Sequence, residues 1–255
     1  MKKAILYFAV FVLIQLAIGG LMQAGWALLG GAVKQPSPTM LIATMAVINI
    51  LLIVVFLSCR WAQVSRSWLR SRPWAALCWC CIAAVGALIP SIWLQELIPD
   101  LPNLAEQELL AIMQDRMGYA VVGLLAPVAE ELVFRGAILR SLLSHTSRPW
   151  LAIALSALFF AIAHFNPAQA IHPLLTGLLL GWMYYRTNSI VPGVAYHWTN
   201  NSAAYVLANI YPDPDLHLVD IFGGDSRAVG AAVVFSLLIL VPAIYQLSLR
   251  LKKAE

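Results

Sequence analysis

Glu130, Glu131, Arg135, His164, His197 and Asn201 are polar residues set inside stretches that are otherwise almost continuously apolar. A charged side chain at the centre of a bilayer costs about 2.5–3.5 kcal/mol on insertion scales, so such residues are functional candidates by default. Two imidazoles and a carboxylate form a hydrolytic set. They match the two-histidine, one-glutamate ligands of catalytic zinc, whose fourth position holds water, and Glu130, His164 and His197 would be those ligands. Without a metal, Glu130 can take a proton from an attacking water while a histidine stabilises the developing negative charge. Asn201 follows His197 by four residues, shares its helix face and offers an amide donor to an oxyanion. No Gly-x-Ser-x-Gly stretch supplies a serine nucleophile.

Spacing divides the three charges of Glu130-Glu131-Leu132-Val133-Phe134-Arg135. Glu131 and Arg135 are four apart with the acid first, the better order for an intrahelical ion pair. That pair neutralises charge at depth and has a supporting role. Glu130 is rotated by about 100° from Glu131 and has no partner on its own helix. Its carboxylate requires something from another element: a metal, an imidazole, a water or a proton.

The elements that must position these residues are transmembrane helices. The chain has 255 residues, 61% of them hydrophobic and 11% charged, with a mean hydropathy of +0.81. A soluble domain carries about 25% charged residues, so the solvent for this surface is lipid. The expected fold is all-α, a polytopic membrane helical bundle forming a single membrane domain over residues 1–255. A spanning helix needs about 20 apolar residues. Eight stretches are candidates: Ala4–Leu29, Met40–Leu57, Trp74–Ile98, Tyr119–Leu143, Trp150–His164, Ile171–Tyr185, Ile190–Ala208 and Val229–Leu249. The fifth and sixth are short and are either tilted together or broken around Asn166-Pro167, and such a break points to a cavity there. With about 1.5 Å of rise per residue, Glu130 lies about 20 Å, His164 about 21 Å, His197 about 12 Å and Asn201 about 18 Å from the cytoplasmic helix ends. The four therefore share one layer.

Charge asymmetry sets the orientation. With a cytoplasmic N-terminus, the inside receives Lys2, Lys3, Arg60, Arg66, Arg70, Arg72, Arg140, Arg148, Arg186, Arg250, Lys252 and Lys253, and the outside only Lys34, Arg116 and Arg227. Glu96, Asp100, Glu106, Glu108, Asp115, Asp213, Asp215, Asp220 and Asp225 all fall outside. The positive-inside rule then places both termini in the cytoplasm, which requires an even number of spans. The net charge of +4 reflects this topology rather than nucleic-acid binding. Lys2-Lys3 and the long apolar run after them read as an uncleaved first helix, because a signal peptide has an apolar region of only about 7–15 residues. Cys59, Cys78, Cys80 and Cys81 show no ligand spacing and read as packing residues.

Glu130-Glu131-Leu132-Val133-Phe134-Arg135, Phe160-Ala161-Ile162-Ala163-His164 and His197-Trp198-Thr199-Asn200-Asn201 read as EExxxR, FxxxH and HxxxN. In this order and spacing they resemble the CPBP family, which joins type II CAAX prenyl proteases with bacteriocin-processing and self-immunity proteins. The resemblance spans about 117–208, the expected catalytic core. It implies an eight-helix intramembrane protease with a conical cavity open to lipid and cytosol. Glu130 would be the water-activating glutamate, His164 and His197 the two essential histidines, Asn201 the oxyanion donor, Glu131 and Arg135 supporting residues, and Phe160 a packing residue. Zinc and a metal-free glutamate mechanism are both compatible with it. His172 falls outside the motifs and reads as loop polarity, with an accessory ligand as the alternative. The small size, short loops and two-lysine start resemble bacterial inner-membrane members, whose substrates would be membrane-associated peptides or proteins. Two other functions compete: a non-proteolytic scaffold that regulates a partner membrane protein, and a proton-coupled transporter using the same residues as a relay. Neither an inverted repeat nor matched broken helices, the marks of a transporter, are present.

Overall fold

Apolar runs of this length fold as helices because a helix satisfies its backbone hydrogen bonds within one segment, which lipid requires. The computed structural model describes residues 1–31, 36–65, 68, 70–98, 102–103, 106–167, 170–213 and 216–253; Lys34, Arg66, Asp100, Asp215 and the side chain of Glu106 lie outside the described residues. Among the described residues all regular structure is helical. The helices are α1 (Lys2–Leu28), α2 (Pro38–Ser58), α3 (Trp74–Glu96), α4 (Glu106–Gln114), α5 (Arg116–Leu143), α6 (Pro149–Ile162), α7 (Ile171–Thr187), α8 (Val191–Ile210), the short α9 (Leu218–Ile221) and α10 (Ser226–Arg250). Local chemistry marks their ends. Ser37 accepts from the Met40 amide ahead of Pro38, and Asp115 and Asp225 cap α5 and α10 in the same way. Asn188 takes the left-handed conformation that closes α7.

The helices α1, α2, α3, α5 and α10 are each long and apolar enough to cross a membrane. α6 is a shorter apolar helix, and each of the eight expected apolar stretches overlaps one of α1, α2, α3, α5, α6, α7, α8 and α10. α1 leaves most of its surface uncovered, with only 11% of its apolar window buried, whereas α5 has 56% buried and is the central helix. Exposed Leu13, Leu16, Phe235 and Leu238 are the kind of surface that lipid covers.

Cross-contacts sort the helix ends into two faces. At one, Arg186 donates to the carbonyls of Ser248 and Leu251, the Trp68 indole donates to the carbonyl of Lys252, and Tyr7 packs on Trp61. Lys2, Lys3, Lys252, Lys253 and most of the other described arginines and lysines are on this basic face. At the other, Glu96 accepts from the Leu218 amide, Gln95 from the Ile171 amide, and Tyr205 donates to the carbonyl of Asp115. Much of the half nearer the basic face is filled by apolar side chains. Phe56, Phe134, Ile138, Leu139 and Ile153 fill it between α1, α2, α5 and α6, and Leu180, Met183, Ala243 and Leu247 fill it between α3, α7, α8 and α10.

Two expected boundaries move. His164 lies beyond the end of α6, which stops at Ile162. Its ring explains the stop: Nδ1 donates to the carbonyl of Phe160, an acceptor that the ending helix leaves without an amide. His172 is in the first turn of α7 rather than in a loop.

One close helix contact is α6 against α7. A methyl group built on Gly177 would lie 3.0 Å from Ala157 Cα, and one on Gly181 2.9 Å from Ile153 Cγ2. This small-xxx-small pair lets the backbones approach, which drives helix association where no hydrophobic effect operates. Gly177→Val should push the two helices apart and destabilise the fold by about 1–3 kcal/mol. A melting temperature in detergent equal to that of the unaltered protein would rule out this contact.

Candidate active site

Proline controls the first half of α5. In the π-helical turn Ala120–Leu125, the amide of Ala126 bonds to the carbonyl of Val121, five residues back. In that register the next carbonyl, Val122, would accept from residue 127, which is Pro127 and has no N–H. The orphaned carbonyl takes a side chain instead: Asn201 Nδ2 donates to it at 2.9 Å. A second contact between α5 and α8 lies beside it, where Trp198 donates to the Tyr119 hydroxyl and Tyr119 meets Ser202. One turn after Pro127, α5 presents Glu130 and Glu131, and a second π-helical stretch, Leu132–Leu139, carries Arg135. Such π stretches often mark functional sites.

The ion pair is present, and it has a third member. Arg135 Nη1 donates to Glu131 Oε1 at 2.7 Å, with both side chains fully buried. The same oxygen lies 3.3 Å from His197 Nδ1, so Nδ1–H donates to it and Nε2 faces Glu130 Oε2 at 3.7 Å. Glu131 thus orients His197, a role that spacing along one helix did not show. The guanidinium also reaches the Gly177 carbonyl and lies 4.4 Å above the Phe160 ring. Phe160 meets His164 and His197 edge-on, so it packs beneath both imidazoles. A Cβ on Gly193 would lie 2.5 Å from Glu131 Oε2, so α8 can approach the carboxylate only with glycine there.

Glu130, His164, His197 and Asn201 line one cavity of about 420 Å³. His164 and His197 both have Nδ1 tied back as a donor, which leaves Nε2 free on each. Among the described residues no three His, Cys, Asp or Glu side chains form a group able to hold a metal ion. Glu130 and His197 approach each other, but His164, held past the end of α6, does not complete a ligand triad with them.

Residues 114–203 match the family model described as Rce1-like, type II CAAX prenyl endopeptidase. This stretch is similar to the Rce1-like endopeptidases. No curated protein and no solved structure matches the chain. The Rce1-like stretch runs from the end of α4 into α8 and contains EExxxR, FxxxH and HxxxN. Apolar helices and a membrane-protease domain make the chain a multi-pass membrane protein.

Further polar residues join the Rce1-like site that motif spacing passed over. Ser91 donates to the carbonyl of Leu88, so its oxygen accepts from His172 Nδ1 at 2.9 Å. His172 Nε2 then accepts from Asn200 Nδ2 at 3.1 Å, which also points at Asn201 Oδ1 at 3.4 Å. Backbone carbonyls, Leu88 and Val122, thus fix the polarity of the chain Ser91–His172–Asn200–Asn201 from both ends. His172 had one sequence signal, its place just after the Asn166-Pro167 break. Asn200 and Ser91 had none.

Arg135 neutralises a carboxylate that has no access to water. Arg135→Ala should leave Glu131 uncompensated and cost about 3–5 kcal/mol. Folded yield and melting temperature should both fall, and unchanged values for this variant would disprove the buried pairing.

Proposed function

We propose that the chain is an intramembrane endopeptidase that hydrolyses a peptide bond in a membrane-associated peptide or protein, with Glu130 activating the water. The observation that supports this reading is the convergence of Glu130, His164, His197 and Asn201, from separate helices and the end of α6, on the floor of one cavity. In this reading the chain is a single membrane domain of eight spans with both termini cytoplasmic and a catalytic core over 117–208. Its location is a bacterial cell membrane.

Glu130 takes one proton from water, whose oxygen bonds to the carbonyl carbon while the carbonyl electron pair moves to oxygen. His164 Nε2 accepts a hydrogen bond from the same water and aligns it. The oxyanion takes a hydrogen bond from the second N–H of Asn201, while Glu131 holds His197 with Nε2 toward Glu130. Collapse of the intermediate breaks the C–N bond, and Glu130 passes its proton to the departing amine.

Glu130→Gln keeps the shape of the side chain and removes the base. Cleavage of a membrane peptide should fall by about 10²–10⁴-fold, with the folded yield unchanged. A scaffold would retain its function in this variant. Elemental analysis separates the hydrolytic mechanisms: active protein should hold substoichiometric zinc and tolerate chelators, and stoichiometric zinc whose removal abolishes cleavage would replace the mechanism above with a zinc-based one.

Pro127→Ala tests the oxyanion role at a distance. It supplies Val122 with an amide donor and frees Asn201 to turn away. The catalytic constant should fall by about 10²-fold, the loss typical of one oxyanion donor, with KM little changed. A variant with full turnover would remove Asn201 from the mechanism.

A further inference from the structure

The floor of the cavity is near the middle of the bundle, and its walls come from one half only. α3 contributes its last turns, with Leu88 and Ile92, and α7 its first, with His172. α8 contributes residues from His197 onward to Ala204 and Leu207, and α4, which lies wholly at that end, contributes Leu109 and Met113. All of these are on the side away from the basic face. The residues that continue the same helices toward the basic face are buried in the packed core: Leu132, Phe134 and Ile138 of α5, Leu180 and Met183 of α7, and Ala83 and Cys80 of α3. No residue from the end that carries the arginines and lysines is in the lining of this cavity.

The positive-inside rule makes the basic face cytoplasmic. Among the described residues the opposite end carries Glu96, Glu108, Asp115, Asp213, Asp220 and Asp225 against Arg116 and Arg227. We infer that the site is fed from the non-cytoplasmic face, and that its substrate is an apolar polypeptide segment presented there: an exported peptide or the outer end of a membrane span. This rests on the endopeptidase reading and departs from the cytosol-facing cavity that the family resemblance implies. The wall chemistry suits an apolar segment, since Ile92, Leu109, Met113 and Leu207 surround the path and the polar groups gather at its floor. From His197 to Leu207 the path follows α8 for about 15 Å at 1.5 Å per residue. An extended chain covers that depth in about five residues, so cleavage falls within about five residues of the point where the segment enters.

Thiol labelling in intact cells tests the access side without requiring hydrolysis. Native Cys59 is exposed at the basic end of α2 and serves as the internal control. Ala204→Cys places a thiol in the cavity wall, and Glu108→Cys places one at the exposed rim. A membrane-impermeant maleimide added to intact cells should modify Ala204→Cys and Glu108→Cys and spare Cys59, with the reverse in inverted vesicles. Modification of Ala204→Cys only in inverted vesicles, or of Glu108→Cys alone from outside, would overturn the inference. An impermeant quenched-fluorescent peptide with an apolar stretch should then be cleaved by sealed vesicles only when the non-cytoplasmic face is outward, and cleavage confined to inverted vesicles would also overturn it. Outside labelling of Ala204→Cys with no Glu130-dependent cleavage in either orientation would sink the endopeptidase reading and leave the access side standing.

Discussion

The carboxylate of Glu131 has no water to turn to, and its need for donors organises the centre of the protein. One oxygen receives both Arg135 and His197, which ties α5 to α8 through a contact that neither helix could make alone. Arg135 in turn lies over Phe160 and reaches the carbonyl of Gly177, so α6 and α7 are drawn to the same point. In a low-dielectric interior an unpaired charge costs several kcal/mol, and each partner is therefore held in place by the cost of releasing it. The tautomer of His197 is one result. With Nδ1 committed to Glu131, only Nε2 can act on the cavity, and it faces Glu130.

A second constraint comes from Pro127. Its missing N–H leaves Val122 without a donor in the π-helical register, and Asn201 supplies one. The same bond fixes the amide of Asn201, and through Asn200 and His172 the fixed polarity continues to Ser91 on α3. Two backbone features, an ending helix at Phe160 and a proline-broken ladder at Val122, thus orient His164 and Asn201. Side chains that carry chemistry here are anchored by backbone acceptors that lipid cannot satisfy.

Rigidity and access are divided between the halves of the bundle. Small residues on α7 and the filled core between α5, α6 and α1 make the basic half a support. The other half parts around the cavity, where His172, Asn200 and Asn201 supply polar groups within apolar walls. The pair that anchors the site belongs to the packed half, and Glu130, one residue away, is turned by the helix toward the open one.

Much of this was legible in the order of residues. Hydropathy alone identifies the long apolar helices, because twenty apolar residues have no other stable form in lipid, whereas α4 and α9 lie outside every apolar stretch. The four-residue spacing of Glu131 and Arg135 identifies their pairing, because a helix places such residues side by side. The motifs likewise identify Glu130, His164, His197 and Asn201 as candidates, since each is polar at depth. Other features depend on contacts between residues far apart in the chain, and spacing along one helix does not encode them. His197 and Glu131 are 66 positions apart, His172 and Ser91 81, and Asn201 and Val122 79. Which face the cavity opens on was equally invisible, because it depends on which halves of the helices pack together and which separate. Only the tertiary structure decides that, since close packing there is a property of pairs of helix surfaces and not of either sequence alone.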